Sequence, residues 1–138
     1  MAKDIYHDIV KHALQKDGWT ITHDPYKIKL GKRRGYIDLA AEKTIIAAEK
    51  DNEKIAVEIK SFSTPSDLDA FENALGQFLI YWRALRIKEP KRILYLGVPH
   101  SFYVRFFDDL FFVETAKDFN VKMLVYDEQK GIIEQWIK

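Results

Sequence analysis

Between residues 54 and 98 the chain runs through three blocks that leave little choice of fold class. Lys54-Ile55-Ala56-Val57-Glu58-Ile59-Lys60 alternates, with Ile55, Val57 and Ile59 on one face and Ala56, Glu58 and Lys60 on the other, which is the period of a strand. Pro65-Ser66-Asp67 then opens a long helix. Ser66 is placed to cap it, and Asp69 stands three residues on, as in a capping box with Asp in place of Glu or Gln. The helix is expected to run to about residue 87, with Leu68, Phe71, Leu75, Phe78, Leu79, Trp82 and Leu85 as its apolar face, and Pro90 marks its stop. Residues 92–98 carry a continuous apolar run, as buried strands do. Strand, long helix and buried strand in succession predict an α/β fold.

The flanks fit the same class. Ile5, Ile9, Ala13 and Leu14 draw one stripe of a helix over residues 4–15, and Gly18 stops it. Residues 19–22 and 26–30 are short strand candidates around Pro25. Gly31-Lys32-Arg33-Arg34-Gly35 reads as a tight basic turn, and Tyr36-Ile37-Asp38-Leu39 as a strand. Residues 40–50 are ambiguous, because alanine, glutamate and lysine favour helix. The β-branched Thr44-Ile45-Ile46 and the turn-forming Asp51-Asn52-Glu53 favour a hairpin onto residues 54–62. A helix near 108–119 and strands at 121–126 and 131–137 complete the order α-β-β-β-α-β-α-β-β. This describes a mixed β-sheet flanked by helices, in one domain spanning residues 1–138.

Composition narrows the chemistry. There is no cysteine, which excludes a disulfide framework, a Cys-ligated metal and a thiol nucleophile. No apolar run reaches the roughly 18 residues of a membrane span. The N-terminus is charged from Lys3 and has no signal-peptide apolar region, so a cytoplasmic protein without membrane contact is expected. Lys and Arg number 22 against 21 for Asp and Glu. That balance hides how the charge is distributed.

The candidate site is Asp38, Glu58, Ile59, Lys60 and Gln77. Glu58 and Lys60 point the same way on their strand, and Asp38 ends a neighbouring one. Two convergent carboxylates with the Ile59 backbone carbonyl make a hard-oxygen site suited to Mg²⁺. A lysine beside it can orient an attacking water and stabilise charge on a phosphate. Gln77 lies one turn from Tyr81 on the long helix and invites a role facing the site. Taken alone, Glu-x-Lys on a strand is ordinarily a solvated face.

Asp38, Glu58-Ile59-Lys60 and the helix bearing Gln77 to Tyr81 resemble the PD-(D/E)XK restriction-endonuclease-like superfamily. More narrowly, AKDIYHDIVKHALQKDGWTIT, IDLAAEK, IAAEK, IAVEIKSF, ALGQFLIYWRAL and ILYLGVP resemble the XisH family, the cyanobacterial fdxN-element excision controlling factors. The likeness covers nearly the whole chain. It implies an endonuclease-like fold and a role in programmed excision of a DNA element. It also implies a site-specific recombinase and an XisI-type companion protein as partners, and a possible homodimer. Carried over, Asp38 and Glu58 match the metal-binding acids, Lys60 the motif lysine and Gln77 the helix glutamine, with Mg²⁺ or Mn²⁺ as cofactor. Ile37 stands where the motif has proline. Members that add an acid from the first helix leave Asp4 and Asp8 as choices. The separation of 20 residues between Asp38 and Glu58 leaves room for Glu42 or Glu49 instead.

Lys27, Lys29, Lys32, Arg33 and Arg34 form a basic cluster suited to DNA phosphates. Arg83, Arg86, Lys88, Lys91 and Arg92 form another, where helix-dipole stabilisation is the plainer explanation. The aromatic run from Phe102 to Phe112 surrounds Asp108-Asp109, and core packing or a protein interface suits it better than base stacking. His7, His12, His23 and His100 are expected at the surface. A non-catalytic accessory protein on a nuclease-like scaffold, binding a companion protein or DNA, is the alternative to a nuclease.

Overall fold

A computed structural model describes residues 4–43 and 53–138. Its elements are α1 (His7–Lys16), β1 (Thr20–His23), β2 (Tyr26–Leu30), β3 (Arg33–Ile37), β4 (Leu39–Lys43) and β5 (Glu53–Ile59). They continue with α2 (Asp67–Lys88), β6 (Ile93–Pro99), α3 (His100–Phe106), α4 (Leu110–Asp118), β7 (Met123–Asp127) and β8 (Ile132–Ile137).

Six strands form one mixed sheet in the order β1-β4-β5-β6-β7-β8, while β2 and β3 pair as a separate hairpin. β5, β6 and β7 are parallel neighbours, and the remaining pairings are antiparallel. The parallel step from β5 to β6 is made by α2, the crossover that such strands require. The α/β class and the mixed sheet flanked by helices follow the expectation from sequence.

Alternation along β5 divides the core. Ile55, Val57 and Ile59 pack with Val10, Leu14, Tyr95 and Tyr126 on one face of the sheet. Ala56 packs on the other with Ile28, Ile37, Phe71 and Phe78. The face carrying Glu58 is therefore covered by α2 and the β2–β3 hairpin rather than left to solvent.

Several local expectations are corrected. The basic turn contracts to Gly31-Lys32, because Leu30 already pairs with Arg33. Gly31 has φ of 64°, the first position of a two-residue hairpin turn that glycine favours. Arg33, Arg34 and Gly35 are strand residues. Asp38 does not end a strand; it is the bend between β3 and β4. The expected helix near 108–119 is α4, capped by the Asp109 carboxylate, which accepts from Phe111 N–H at 3.0 Å; the short helix α3 before it was not expected. On α2, Phe71, Phe78 and Leu85 are buried as expected, with Ala74 and Ala84, whereas Leu68, Leu79 and Trp82 are exposed. The stretch Thr44-Ile45-Ile46, the Asp51-Asn52 turn and Glu49 lie outside the described residues. Among the described residues no helix is long and apolar enough to cross a membrane.

Candidate active site

The register of β4 on β5 pairs Leu39 with Val57 and Lys43 with Glu53. Continued one step, it sets Asp38 opposite Glu58. The long separation between the two acids is thus two fully paired strands and their connection. At the same end, Asp38 Oδ2 accepts the Ile59 N–H at 2.7 Å. Ile59 aligns with Gly97 on β6, and Lys60 N–H donates to the Gly97 carbonyl at 3.1 Å. Tyr126 on β7 donates its hydroxyl to the Lys60 carbonyl at 3.0 Å. The Asp38 bend and the strands β6 and β7 therefore hold the Glu58-Ile59-Lys60 backbone in place.

The two carboxyls are nearly inaccessible, Asp38 at 9% and Glu58 at 5% exposure. Burial pushes the Asp38 carboxyl above the usual carboxylate range, although the Ile59 N–H and the Lys60 charge pull the other way. Burial, and then the negative charge of Asp38, push Glu58 up to about 8. Lys60 Nζ lies 3.6 Å from Glu58 Oε2 and gives partial compensation. Glu58 Oε1 is buried with no hydrogen-bond partner. Such an atom is costly unless something else meets it. Two buried carboxyls side by side, one with an unmet oxygen, fit a hard divalent cation that retains waters.

Gln77 donates to the Tyr81 hydroxyl at 2.9 Å, rather than bonding to Lys60. Burial and the Glu58 charge both raise the Tyr81 phenol, so Tyr81 stands within electrostatic reach of the pair and Gln77 fixes its ring. Of the possible extra acids, Asp4 is the near one. Its Oδ2 accepts the Ser61 N–H at 2.9 Å and its Oδ1 the Tyr6 N–H at 2.9 Å. Asp8 is exposed on α1. Glu42 pairs with Lys54 across the other end of the hairpin, Nζ to Oε1 3.7 Å. Among the described residues, no group of three or more His, Cys, Asp or Glu side chains gathers in metal-binding geometry.

The basic cluster divides between the two faces of the hairpin. Lys27 and Lys29 are exposed and alternate with the buried Tyr26 and Ile28. Arg34 sits directly opposite Lys29, and Tyr36 opposite Lys27. Arg33 and Lys32 are exposed at the turn end. β3 runs straight from Arg34 into Asp38, a reach of about 14 Å at strand rise. In the second cluster, Arg92 and Lys88 have structural partners. Arg92 is 6% exposed, pairs with Glu89 at 2.7 Å and donates to the Ala41 and Ile55 carbonyls. Lys88 donates to the Lys27 carbonyl and lies over the Tyr26 ring. Phe102, Phe106 and Phe107 are buried, as core packing requires, while Phe111 is exposed.

His7 departs from its expected surface position. It is 3% exposed, and its Nε2 lies 2.7 Å from Asp24 Oδ1. The signal was available: His7 shares the helical face of Val10 and Leu14. Tyr126 was missed because only the parallel alignment of β6 and β7 brings it to Lys60.

The XisH family model matches residues 1–134. A crystal structure of an XisH family protein from Nostoc punctiforme is 44% identical, with a TM-score of 0.86 over 98% of this chain and 100% of that one. An fdxN element excision controlling factor from Anabaena variabilis is 45% identical, with a TM-score of 0.86 over 99% of this chain and 100% of that one. Comparison with curated proteins returned no match. The family match over almost the whole length, agreeing with both structures, makes this chain a member of the XisH family.

Proposed function

We propose that the chain is a DNA-element excision controlling factor carrying a Mg²⁺-dependent phosphodiester site of the PD-(D/E)XK kind. The observation that carries this reading is the buried Asp38–Glu58 pair, with its unmet Oε1 and with Lys60 Nζ 3.6 Å from Glu58. Asp38, Glu58 and the Ile59 carbonyl would hold the ion. When bound it would polarise a phosphoryl oxygen and acidify a water. Lys60 positions the attacking water and offsets charge that builds on the phosphate. Ile59 N–H and Tyr126 keep the strand end fixed, and Gln77 orients Tyr81 toward the pair. The outward Lys27, Lys29 and Arg34 supply sequence-independent phosphate contacts leading to the site. Membership of a family whose relative is named for excision control supports the biological setting, beside a site-specific recombinase.

Cleavage of supercoiled, linear and branched DNA with Mg²⁺ or Mn²⁺ tests the reading. Wild type is expected to cut, and Lys60→Ala to lose cutting while keeping its fold. Absence of cutting on all three substrates overturns it.

The exposed apolar side chains Leu79, Ile80 and Ile87 on α2 favour a second reading, an accessory protein that acts by binding an XisI-type companion. Excision that survives Asp38→Ala and Lys60→Ala in cells would select it.

A further inference from the structure

Two open cavities lie at the end of the sheet away from Asp38 and Glu58. One, of about 350 Å³, is walled by Tyr103, Phe107, Val113, Met123 and Ile137. The other, of about 340 Å³, is walled by Trp82, Leu85, Ile93 and Leu94. Asn120 and Lys122 line both, so the two adjoin and share one wall of a groove. It crosses the N-terminal ends of the parallel strands β6 and β7, whereas the carboxyl pair sits at the C-terminal end of β5. Ile93, in the groove, aligns with Ile55, and Gly97 aligns with Ile59. Glu58 aligns with Leu96, three residues beyond Ile93, so the two places are about 10 Å apart along the strands.

Side-chain charge in the groove has one sign. Lys117, Lys122, Lys138 and Arg86 line it, and among the described residues no acid does. Arg92, also in the lining, is already neutralised by Glu89. No ion pair engages Lys117, Lys122 or Lys138 among the described residues, and Arg86 lies over the Trp82 ring at 4.9 Å. Trp82 and Ile93 are partly exposed there, with Phe119 beside Asn120 more so.

We infer that this groove docks an acidic peptide segment of a partner protein, one that inserts apolar side chains between the unpaired cations. The walls favour a peptide over a nucleic acid. A DNA duplex would use the lysines but leave the aromatic and aliphatic walls uncovered, whereas an alternating acidic and apolar segment satisfies both. Cavities of this size have room for at least one large side chain each. A partner seated here leaves the Asp38–Glu58 end open, so docking and phosphodiester chemistry can proceed together.

The test is fluorescence anisotropy of the full chain with a short fluorescein-labelled peptide alternating glutamate with leucine and phenylalanine. Two control peptides replace the glutamates with glutamine or the apolar residues with serine. Binding of the first peptide is expected, with both controls weaker by about tenfold or more. The doubly substituted Lys117→Glu, Lys122→Glu chain should show a similar loss with an unchanged denaturation midpoint. Asp38→Asn should bind like wild type, which separates this result from failure of the nuclease reading. The inference is overturned if the parent peptide does not bind, or if the serine control binds equally. It is also overturned if a short DNA duplex displaces the peptide and loses affinity on the same charge reversal, which makes the groove a nucleic-acid surface. Should the double variant fail to fold, the two control peptides on wild type still decide.

Discussion

Asp38 Oδ2 holds the Ile59 backbone N–H at 2.7 Å, so the carboxyl placed to bind a cation also ties the bend before β4 to the end of β5. Its two roles separate by substitution. Asp38→Asn keeps an oxygen for Ile59 and removes the buried negative charge that helps push the Glu58 carboxyl up. Without divalent cations its denaturation midpoint should match or exceed that of wild type. Asp38→Ala leaves the Ile59 N–H unmet in a buried place and should cost about 1–3 kcal/mol. Both should abolish Mg²⁺ binding by titration calorimetry. Urea titrations in chelator, run side by side, check the stability order.

Glu58 makes the site pH-dependent, with a sign opposite to that of most carboxylates. Its folded pKa, about 8, lies above the ordinary value of about 4.3. Between those values the folded chain holds more protons than the unfolded one, so stability falls as pH rises. Asp38, also raised, adds in the same direction. In chelator the urea midpoint should decline from about pH 5 to about pH 8, between the ordinary and the raised pKa. Mg²⁺ should lift it most at the alkaline end, where the carboxylates are ionised. Glu58→Gln should flatten both responses. A midpoint that rises over this range in chelator would contradict the burial argument.

These effects explain why the site was partly legible in the sequence. Alternation from Lys54 to Lys60 put Glu58 and Lys60 on one side, and strand geometry requires that. The same alternation did not show that α2 and the hairpin would cover that side, so on alternation alone Glu58 and Lys60 suggest a solvated face, and only the likeness to a known motif marked Glu58 as a site residue. Asp38 was recognised as a residue but not as a bend, because β3 and β4 join without glycine or proline between them. Helix α2 was legible in its extent, since Ser66 caps it and accepts from Asp69 N–H at 3.2 Å. Its buried face was less so, because Ala74 and Ala84 carry packing that large side chains were expected to carry.

The β2–β3 hairpin sets two cations face to face, Lys29 opposite Arg34. Like charges in direct cross-strand register destabilise a sheet, so removing one should raise stability while weakening any phosphate contact. Lys29→Glu should therefore increase the denaturation midpoint slightly, by making an opposite-charge pair with Arg34. It should lower duplex DNA affinity and reduce the slope of log affinity against log salt by about one unit or more. Anisotropy over a salt series, paired with urea titration, reads both. A variant that loses stability without changing the salt slope would mark Lys29 as structural.

Arg92 anchors the opposite end of the same layer. It is almost wholly buried, donates to Ala41 and Ile55 carbonyls on β4 and β5, and is charge-paired by Glu89. Glu89 also accepts from the Tyr26 hydroxyl at 2.5 Å, joining β2 to the C-terminus of α2. The Arg92 hydrogen bond leads the effects that pull the Glu89 carboxyl down to about 2, and burial opposes it. The unfolded carboxyl titrates near 4.3, so the stabilisation is present above that value and fades as pH falls toward 2. Glu89→Gln keeps the shape but leaves the guanidinium without its counter-charge, and should cost about 2–4 kcal/mol at pH 7. The cost should shrink progressively below about pH 4, as wild type loses the same ion pair. Because Tyr26 and Arg92 brace the hairpin and the β4–β5 pair together, this variant should also loosen Lys27 and Asp38. Faster amide exchange over residues 26–40 at pH 7, compared with wild type, would register that loosening, and unchanged exchange there would confine Glu89 to a local role.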